Sequence, residues 1–397
     1  MLDAVLRRGQ TLDSAAQKAA PADKALALAI AGEALRRLPD LDTLIDSATR
    51  QRLPDDAKAR AVLRLALAQK IALNVPDHAL VATALPLVEG GPRRLVHGVL
   101  GTVLRRGVPR QDEARLPDGV EQRWRGSWGE EAVAAARRAI VQRPPLDLTF
   151  ADAAEAVRFA EEQGAISLAP GHVRLRGGAQ VADLPGFGEG RWWVQDLAAS
   201  IPARLMPAGP RDVLDLCAAP GGKTMQLAAA GHRVTALDRS GSRLRRLAEN
   251  LERTSLSATT LVADAEEWHG GPFDAVLLDA PCSATGTFRR HPEVLHRAGP
   301  AIVAESSARQ KRLLARAASL LRPGGTLIYA VCSLEREEGE EAVASAPGLE
   351  VLPIAASELP PGIAPDASGF VRVLPGMLEE EGGVDGFFIA RLVRPAA

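Results

Sequence analysis

Three cysteines stand where nucleophilic chemistry would need them. Cys217 closes the apolar run that begins at Val213, Cys282 follows Asp279-Ala280-Pro281, and Cys332 closes the run that begins at Thr326. A thiolate is a strong nucleophile, and a nearby positive charge or helix N-terminus helps it form. A lone cysteine is more often an inert small hydrophobe, but all three sit at or just past apolar-run ends on one rim, and two converging on a cofactor suggest covalent catalysis. Carboxylates mark the same positions. Asp238 ends a second run 23 residues after Asp215, close to the spacing at which an acidic residue accepts hydrogen bonds from ribose hydroxyls, and Asp264 and Asp279 follow the next two. One such aspartate alone is as readily a loop or helix cap. Three at successive strand ends point instead to a nucleoside-bearing cofactor.

The loop after the first run is Cys217-Ala218-Ala219-Pro220-Gly221-Gly222-Lys223-Thr224. Two glycines let backbone approach a ligand with no Cβ in the way, and the following helix offers free N–H donors. Gly222-Lys223-Thr224 superficially suggests a triphosphate loop, but that pattern needs a glycine where Cys217 stands. A zinc site would have to recruit His291 or His296 beside Cys282. With no CxxC pair, no metal is expected.

These residues need a scaffold. After residue 210 short apolar strands alternate with helical stretches: Val213 to Cys217, Arg233 to Asp238, Thr259 to Ala263, Ala275 to Asp279 and Thr326 to Cys332. Repeated βα units predict a parallel sheet covered by helices, with ligands beyond the carboxyl ends of the strands. Gly386 to Leu392 reads as an added edge or antiparallel strand, and Pro360 to Pro365 as a surface loop. From residue 1 to about 140 the pattern is helical, broken at Pro39, Pro54, Pro76, Gly90-Gly91 and Gly107. Leu95, Val99 and Val103, with Val96, Leu100 and Leu104 beside them, make one broad buried face. Paired arginines, Arg93-Arg94 and Arg105-Arg106, bracket that helix and could hold phosphate oxygens; the bland reading is a solvated helix end. Between the two parts, Leu146 to Phe150 and His172 to Leu175 flank a helical stretch, Ala151 to Gln163, in a small α+β unit. Trp192-Trp193 near its end reads as a plug at an interface rather than a ligand edge.

The expected organisation is therefore three parts, 1–140, 141–205 and 206–397, in keeping with a length of 397 residues. A composition 46% hydrophobic and 24% charged can bury a sizeable core, and a net charge of −1 excludes a globally basic polymer binder. Three scattered cysteines exclude a disulfide scaffold and suit a reducing cytosol. No signal peptide is read at the N-terminus, and Arg64 and Lys70 interrupt the strongest apolar run. A soluble cytoplasmic protein without a membrane partner is expected, and a monomer is assumed.

DLCAAPGGKT, LDAPCSATGTFRRHPEV and YAVCSLEREEGEE resemble the cofactor loop, the Pro-Cys motif and the second-cysteine motif of the NOL/NOP/Sun RNA cytosine-5 methyltransferases. VPDHALVATALPLV followed by RRLVHGVLGTVLRR is similar to the NusB-like domain of the bacterial RsmB/Sun branch, which methylates a cytosine of small-subunit (16S) ribosomal RNA. The resemblance implies an all-α NusB-like RNA-binding domain, then a small α+β segment, then a Rossmann-like α/β methyltransferase domain. It implies that Cys217, Ala218, Ala219, Pro220, Gly221, Gly222 and Lys223 form the S-adenosylmethionine loop. Asp238 would bind the ribose, Asp264 the adenine side and Asp279 the cofactor and target-base region. Cys332 would add to carbon 6 of the cytosine, and Cys282 would assist loss of the carbon-5 proton or release by elimination. Chemistry on a base requires it to be unstacked, and Arg289, Arg290 and His291 could hold the phosphates around it.

The chain departs from the family pattern at Val331, where Thr is common; at Gly339, where Asn is usual; at Ala284, often Gly; and at His97, usually Asn. Two rivals stand beside this reading. In DNA cytosine methylation the Pro-Cys cysteine is the nucleophile, and the second rim cysteine argues against that. A catalytically silent RNA-binding assembly or transcription factor would not need intact cysteines and cofactor aspartates.

Overall fold

The structure, a computed structural model, describes residues 1–17, 19–109, 112–177 and 180–396. It divides into a helical unit, Met1–Arg143 with Thr287–Gly299, and a second unit, Pro144–Gly286 with Pro300–Ala397.

The helical unit is built from α1 (Leu2–Leu6), α2 (Leu12–Ala16), α3 (Pro21–Arg36), α4 (Leu38–Ser47), α5 (Lys58–Leu73), α6 (Asp77–Ala84), α7 (Gly90–Arg106) and α8 (Asp118–Val141). Proline stands in the first turn of α3 and of α4, where its missing N–H costs nothing. The apolar stripe of α7 is buried at Val96, Val99, Leu100 and Val103, facing Leu63, Ala66 and Leu67 of α5 within one core. Arg60 of α5 is fully buried, and Asp46 and Asp42 of α4 accept its guanidinium hydrogen bonds at 2.7 and 3.2 Å. Those bonds compensate the desolvation of a charge that would otherwise be costly. The returning segment Thr287–Gly299 is part of this fold. Phe288 packs on Trp124 with ring centroids 5.5 Å apart, and the Leu12 N–H donates to Glu293 Oε1 at 3.1 Å.

The second unit opens with β1 (Leu146–Phe150), α9 (Ala153–Gln163), β2 (His172–Leu175) and β3 (Trp192–Val194), whose strands pair antiparallel in the order β2-β1-β3. Asp147 and Arg174 lie buried in that sheet, joined by two 2.7 Å hydrogen bonds. Trp192 closes this small core against Phe159 and Phe187, while Trp193 is buried with Met225 and Leu247. Both tryptophans are buried in cores, where the sequence suggests a plug at an interface.

After α10 (Leu197–Arg204) comes β4 (Asp212–Leu216), then α11 (Gly222–Ala229), β5 (Arg233–Asp238), α12 (Gly241–Arg253), β6 (Thr259–Val262) and β7 (Phe273–Asp279). The chain passes through the short α13 (Val294–Arg297) of the helical unit and continues with α14 (Pro300–Ser319), β8 (Leu321–Val331), α15 (Glu340–Val343), β9 (Glu350–Val351), β10 (Val371–Val373) and β11 (Phe387–Val393). The strand order is β10-β11-β8-β7-β4-β5-β6, with β9 beside β11. Neighbours from β6 to β8 are parallel, whereas β11 runs antiparallel to both β8 and β10. The strand order reverses between β4 and β7, and ligands bind beyond the carboxyl ends of strands at such a switch point.

The last strand takes the second of the two forms expected of it. β11 is antiparallel but not an edge, because β8 and β10 both pair with it. Its run from Phe387 to Ala390 is buried throughout. Such a continuous apolar run is the signature of a strand covered on both faces, and short Val371–Val373 carries no comparable sequence signal. Pro360 to Pro365 is loop, yet Ile363 reaches the core.

Candidate active site

The cofactor-type loop leaves β4 at Leu216 and enters α11 at Gly222. Cys217 and Gly221 take left-handed backbone, φ 63° and 109°, so the chain doubles back toward β5. A Cβ on Gly221 would stand 2.8 Å from Leu247 Cγ; only glycine fits both that space and that φ. Ala218 N–H donates to Leu237 O at 3.0 Å and Ala219 N–H to Asp238 Oδ2 at 3.2 Å, which pins the loop to the end of β5. Asp238 Oδ1 accepts from Ser240 N–H at 2.8 Å, so this buried carboxylate braces the loop as well as facing it.

Asp264 is more open. Its side chain is 41% exposed and accepts from Glu266 N–H at 3.0 Å. Asp279, at the tip of β7, is held by Lys223 Nζ at 2.7 Å, and the same ammonium lies 5.3 Å from the centroid of Phe387. Below them Asp215 is fully buried, its Oδ2 accepting from Thr224 Oγ1 at 2.6 Å while Oδ1 has no partner. Burial pushes this carboxyl up to about 7. A loop with two glycines, with carboxylates at the tips of β5 and β7 and after β6, is a donor and acceptor set that fits the ribose, adenine and amino-acid parts of S-adenosylmethionine.

The cysteines separate into two kinds. Cys217 is pushed up to about 12 by burial first and by Asp238 and Asp279 beside it, so it remains a thiol near neutral pH. Cys282 and Cys332 belong to different loops, one after β7 and one after β8, yet their sulfurs stand 3.5 Å apart. The hydrogen bond with Cys332, followed by burial, raises the Cys282 thiol well above its usual value. The two loops are stitched together by backbone: Gly286 N–H donates to Cys332 O at 3.0 Å and Gly386 N–H to Gly286 O at 2.9 Å. A Cβ on Gly286 would lie 2.0 Å from Gly386 O, so close approach requires glycine there.

Three contacts thus join sequence-derived site residues, Cys282 with Cys332, Lys223 with Asp279, and Ala219 with Asp238, while Asp264 bonds Glu266 instead. Arg289 falls outside them. It lies in the helical unit and is buried, 3% exposed, so it is not presented to a polymer; Arg290 is half-buried and His291 exposed.

Glu338 escaped the sequence reading. It is fully buried six residues after Cys332, and it receives hydrogen bonds from Ser283 N–H at 2.8 Å, from the hydroxyls of Ser283 and Ser333, and from Gln310 Nε2 at 3.3 Å. The available signal was the Cys-Ser dipeptide, which occurs after both β7 and β8.

Known proteins share this architecture and these segments. Residues 203–393 match the family described as 16S rRNA methyltransferase RsmB/F, and residues 1–106 match the NusB family. The ribosomal RNA small subunit methyltransferase B of Xylella fastidiosa (strain Temecula1) is 36% identical, covering 99% of this chain and 96% of its own. That of Klebsiella pneumoniae (strain MGH 78578) is 34% identical over the same shares of each. Among solved structures, a methyltransferase homologue from Pyrococcus horikoshii is 25% identical with a TM-score of 0.58, covering 74% of this chain and 98% of its own. With the relatives matched from end to end, the NusB-type helical unit and the cofactor loop on the switch point have one explanation: the chain belongs to the RsmB/F family of S-adenosylmethionine-dependent 16S rRNA methyltransferases.

Proposed function

We propose that this protein methylates carbon 5 of a cytosine in 16S ribosomal RNA through a transient covalent bond between Cys332 and carbon 6 of the base. The observation that carries this reading is the 3.5 Å approach of two thiols from separate loops beside the cofactor-type loop. The Cys332 thiolate adds to carbon 6, and the electron pair displaced from the 5,6 double bond makes carbon 5 nucleophilic. Bound S-adenosylmethionine supplies the electrophilic methyl group. The carbon-5 proton then leaves to a base, the sulfur–carbon 6 bond breaks, and the double bond returns. Cys282, beside Cys332, assists that elimination. Cys217 to Lys223 with Asp238, Asp264 and Asp279 hold the cofactor, and Lys223 fixes the orientation of Asp279. Arg290 and His291 remain the candidates for phosphate contacts.

On this reading residues 1–140 bind RNA, 141–205 form the intervening piece and 206–397 carry the chemistry, in a cytoplasmic monomer. Among the described residues no helix is long and apolar enough to cross a membrane. The test is transfer of labelled methyl from S-adenosylmethionine to unmodified 16S RNA, with DNA and large-subunit RNA as controls, followed by mapping of 5-methylcytosine. Cys332→Ala is expected to abolish turnover while cofactor still binds; residual activity would remove it as nucleophile. Cys282→Ala is expected to accumulate a protein–RNA adduct visible on a denaturing gel. Label in DNA alone, or cofactor binding with no transfer, would favour the DNA-type or silent readings.

A further inference from the structure

Besides the two sulfurs and the backbone bond from Gly286 to Cys332, one carboxylate joins the cysteine loops. Glu338 lies on the turn Arg336–Glu338 and is fully buried, where an ionised carboxylate is costly unless it is thoroughly hydrogen-bonded. Its donors are the N–H and hydroxyl of Ser283, the hydroxyl of Ser333 and the Gln310 amide. Ser283 follows Cys282 and Ser333 follows Cys332. A carboxylate is an acceptor with about four lone-pair sites, and here the donors converge on it from both loops. Gln310 itself is anchored to Pro281 O at 2.9 Å, one residue before Cys282, and Tyr329 of β8 donates its hydroxyl to the Glu338 carbonyl at 2.6 Å.

We infer that Glu338 is a positioning residue of the methyl-transfer site, whose carboxylate fixes the spacing of the Cys282 and Cys332 sulfurs by gripping the serine next to each. This rests on the reading that both thiols act on one base. Glu338 touches neither sulfur and acts through the two serines. Its buried negative charge also helps to keep the proton on Cys282.

Glu338→Gln tests the acceptor at nearly constant volume, because the amide turns a donor toward groups that are themselves donors. Two readouts are taken. In the first, protein without RNA or cofactor is treated with diamide, and the Cys282–Cys332 disulfide is followed by peptide mass mapping. Wild type is expected to close this pair rapidly, and Glu338→Gln at least several-fold more slowly. In the second, kcat on 16S RNA is expected to fall by about ten- to a hundredfold, the scale of a misplacement near 1 Å, with little change in KM for S-adenosylmethionine. Should Glu338→Gln fail to fold, Ser333→Ala, which removes one donor and little volume, is expected to give the same pattern in weaker form. A folded variant of either kind with unchanged disulfide closure and unchanged kcat overturns the inference. A parallel fall in both readouts that is matched by weakened cofactor binding also overturns it, since a general loss of structure would do that. Because disulfide closure requires no methyl transfer, a wild type that closes the pair yet methylates nothing would sink the proposed function while leaving the spacing role of Glu338 standing.

Discussion

At the scale of single residues, environment gives chemically identical groups different work. Cys217 is held as a thiol by burial and by the aspartates around it, whereas Cys282 and Cys332 face each other. Alkylation with iodoacetamide near neutral pH, read by peptide mapping, is expected to modify both Cys217 and Cys282 slowly. Asp215 carries a different signature. Its carboxyl is raised to about 7 in the folded protein, so the folded state keeps a proton that the unfolded chain has released from about pH 4 upward. Stability should therefore decline with rising pH between about 4 and 7, by on the order of 4 kcal/mol in all. Asp215→Asn is expected to flatten that decline, measured by urea unfolding at pH 5, 6 and 8. Ala284 sits at φ 59°, where the Cβ of an L-residue costs roughly 1 kcal/mol. Ala284→Gly is thus expected to raise the melting temperature slightly. The cysteines, the loop and the aspartates were legible in the sequence because each lies at or just past the end of an apolar run. Asp215 was seen only as a spacing mark, since its burial depends on which helix covers it. Glu338 was hidden in an acidic run that reads as solvated surface.

At the scale of elements, periodicity located the pieces and tertiary packing decided their order. β1 and β2 have the bounds their apolar runs give, and the βα alternation predicts the parallel core. Two features had a packing cause. β11 is interior because β10, three residues long, covers its outer side. Gly339, where the family resemblance leads to an expectation of Asn, leaves room that Arg372 occupies: a Cβ there would stand 2.3 Å from Arg372 Nη2. The guanidinium lies 4.8 Å from the Phe388 ring centroid, pairs with Glu340 and donates to Ser333 O at 2.6 Å. Gly339→Asn alone is expected to destabilise the protein by about 1–3 kcal/mol through overpacking, as seen in chemical denaturation. In the small sheet, burial works against the Asp147 charge, but two hydrogen bonds from Arg174 and the His172 ring beside it hold its carboxyl well below the usual carboxylate range. The stability it contributes is present above the ordinary carboxylate value and is lost as pH falls toward its own. Arg174→Met should cost about 3–5 kcal/mol by leaving a buried carboxylate without its main partner.

At the scale of the whole molecule, the helical unit is more than an appended module, because Thr287–Gly299 folds as part of it. Phe288, Val294 and Leu295 of that segment are buried. Deprived of the helical unit, they would expose apolar surface worth roughly 1.5–3 kcal/mol per side chain, a sum comparable with the stability of a domain. A fragment comprising residues 144–397 is accordingly expected to aggregate on expression, and a fragment of that range that stays monomeric in size-exclusion chromatography would contradict this. Sequence periodicity could not show it, since the segment reads as a continuation of the Pro-Cys motif and only the fold reveals where its side chains are received. The chain crosses between units after Arg143, Gly286 and Gly299. A recombination event that exchanged the front of the gene at the first crossing would import a foreign pocket for Phe288 and its neighbours. Inheritance of the two halves should therefore be linked, with substitutions in 287–299 tracking those around Trp124 rather than those around the cysteines.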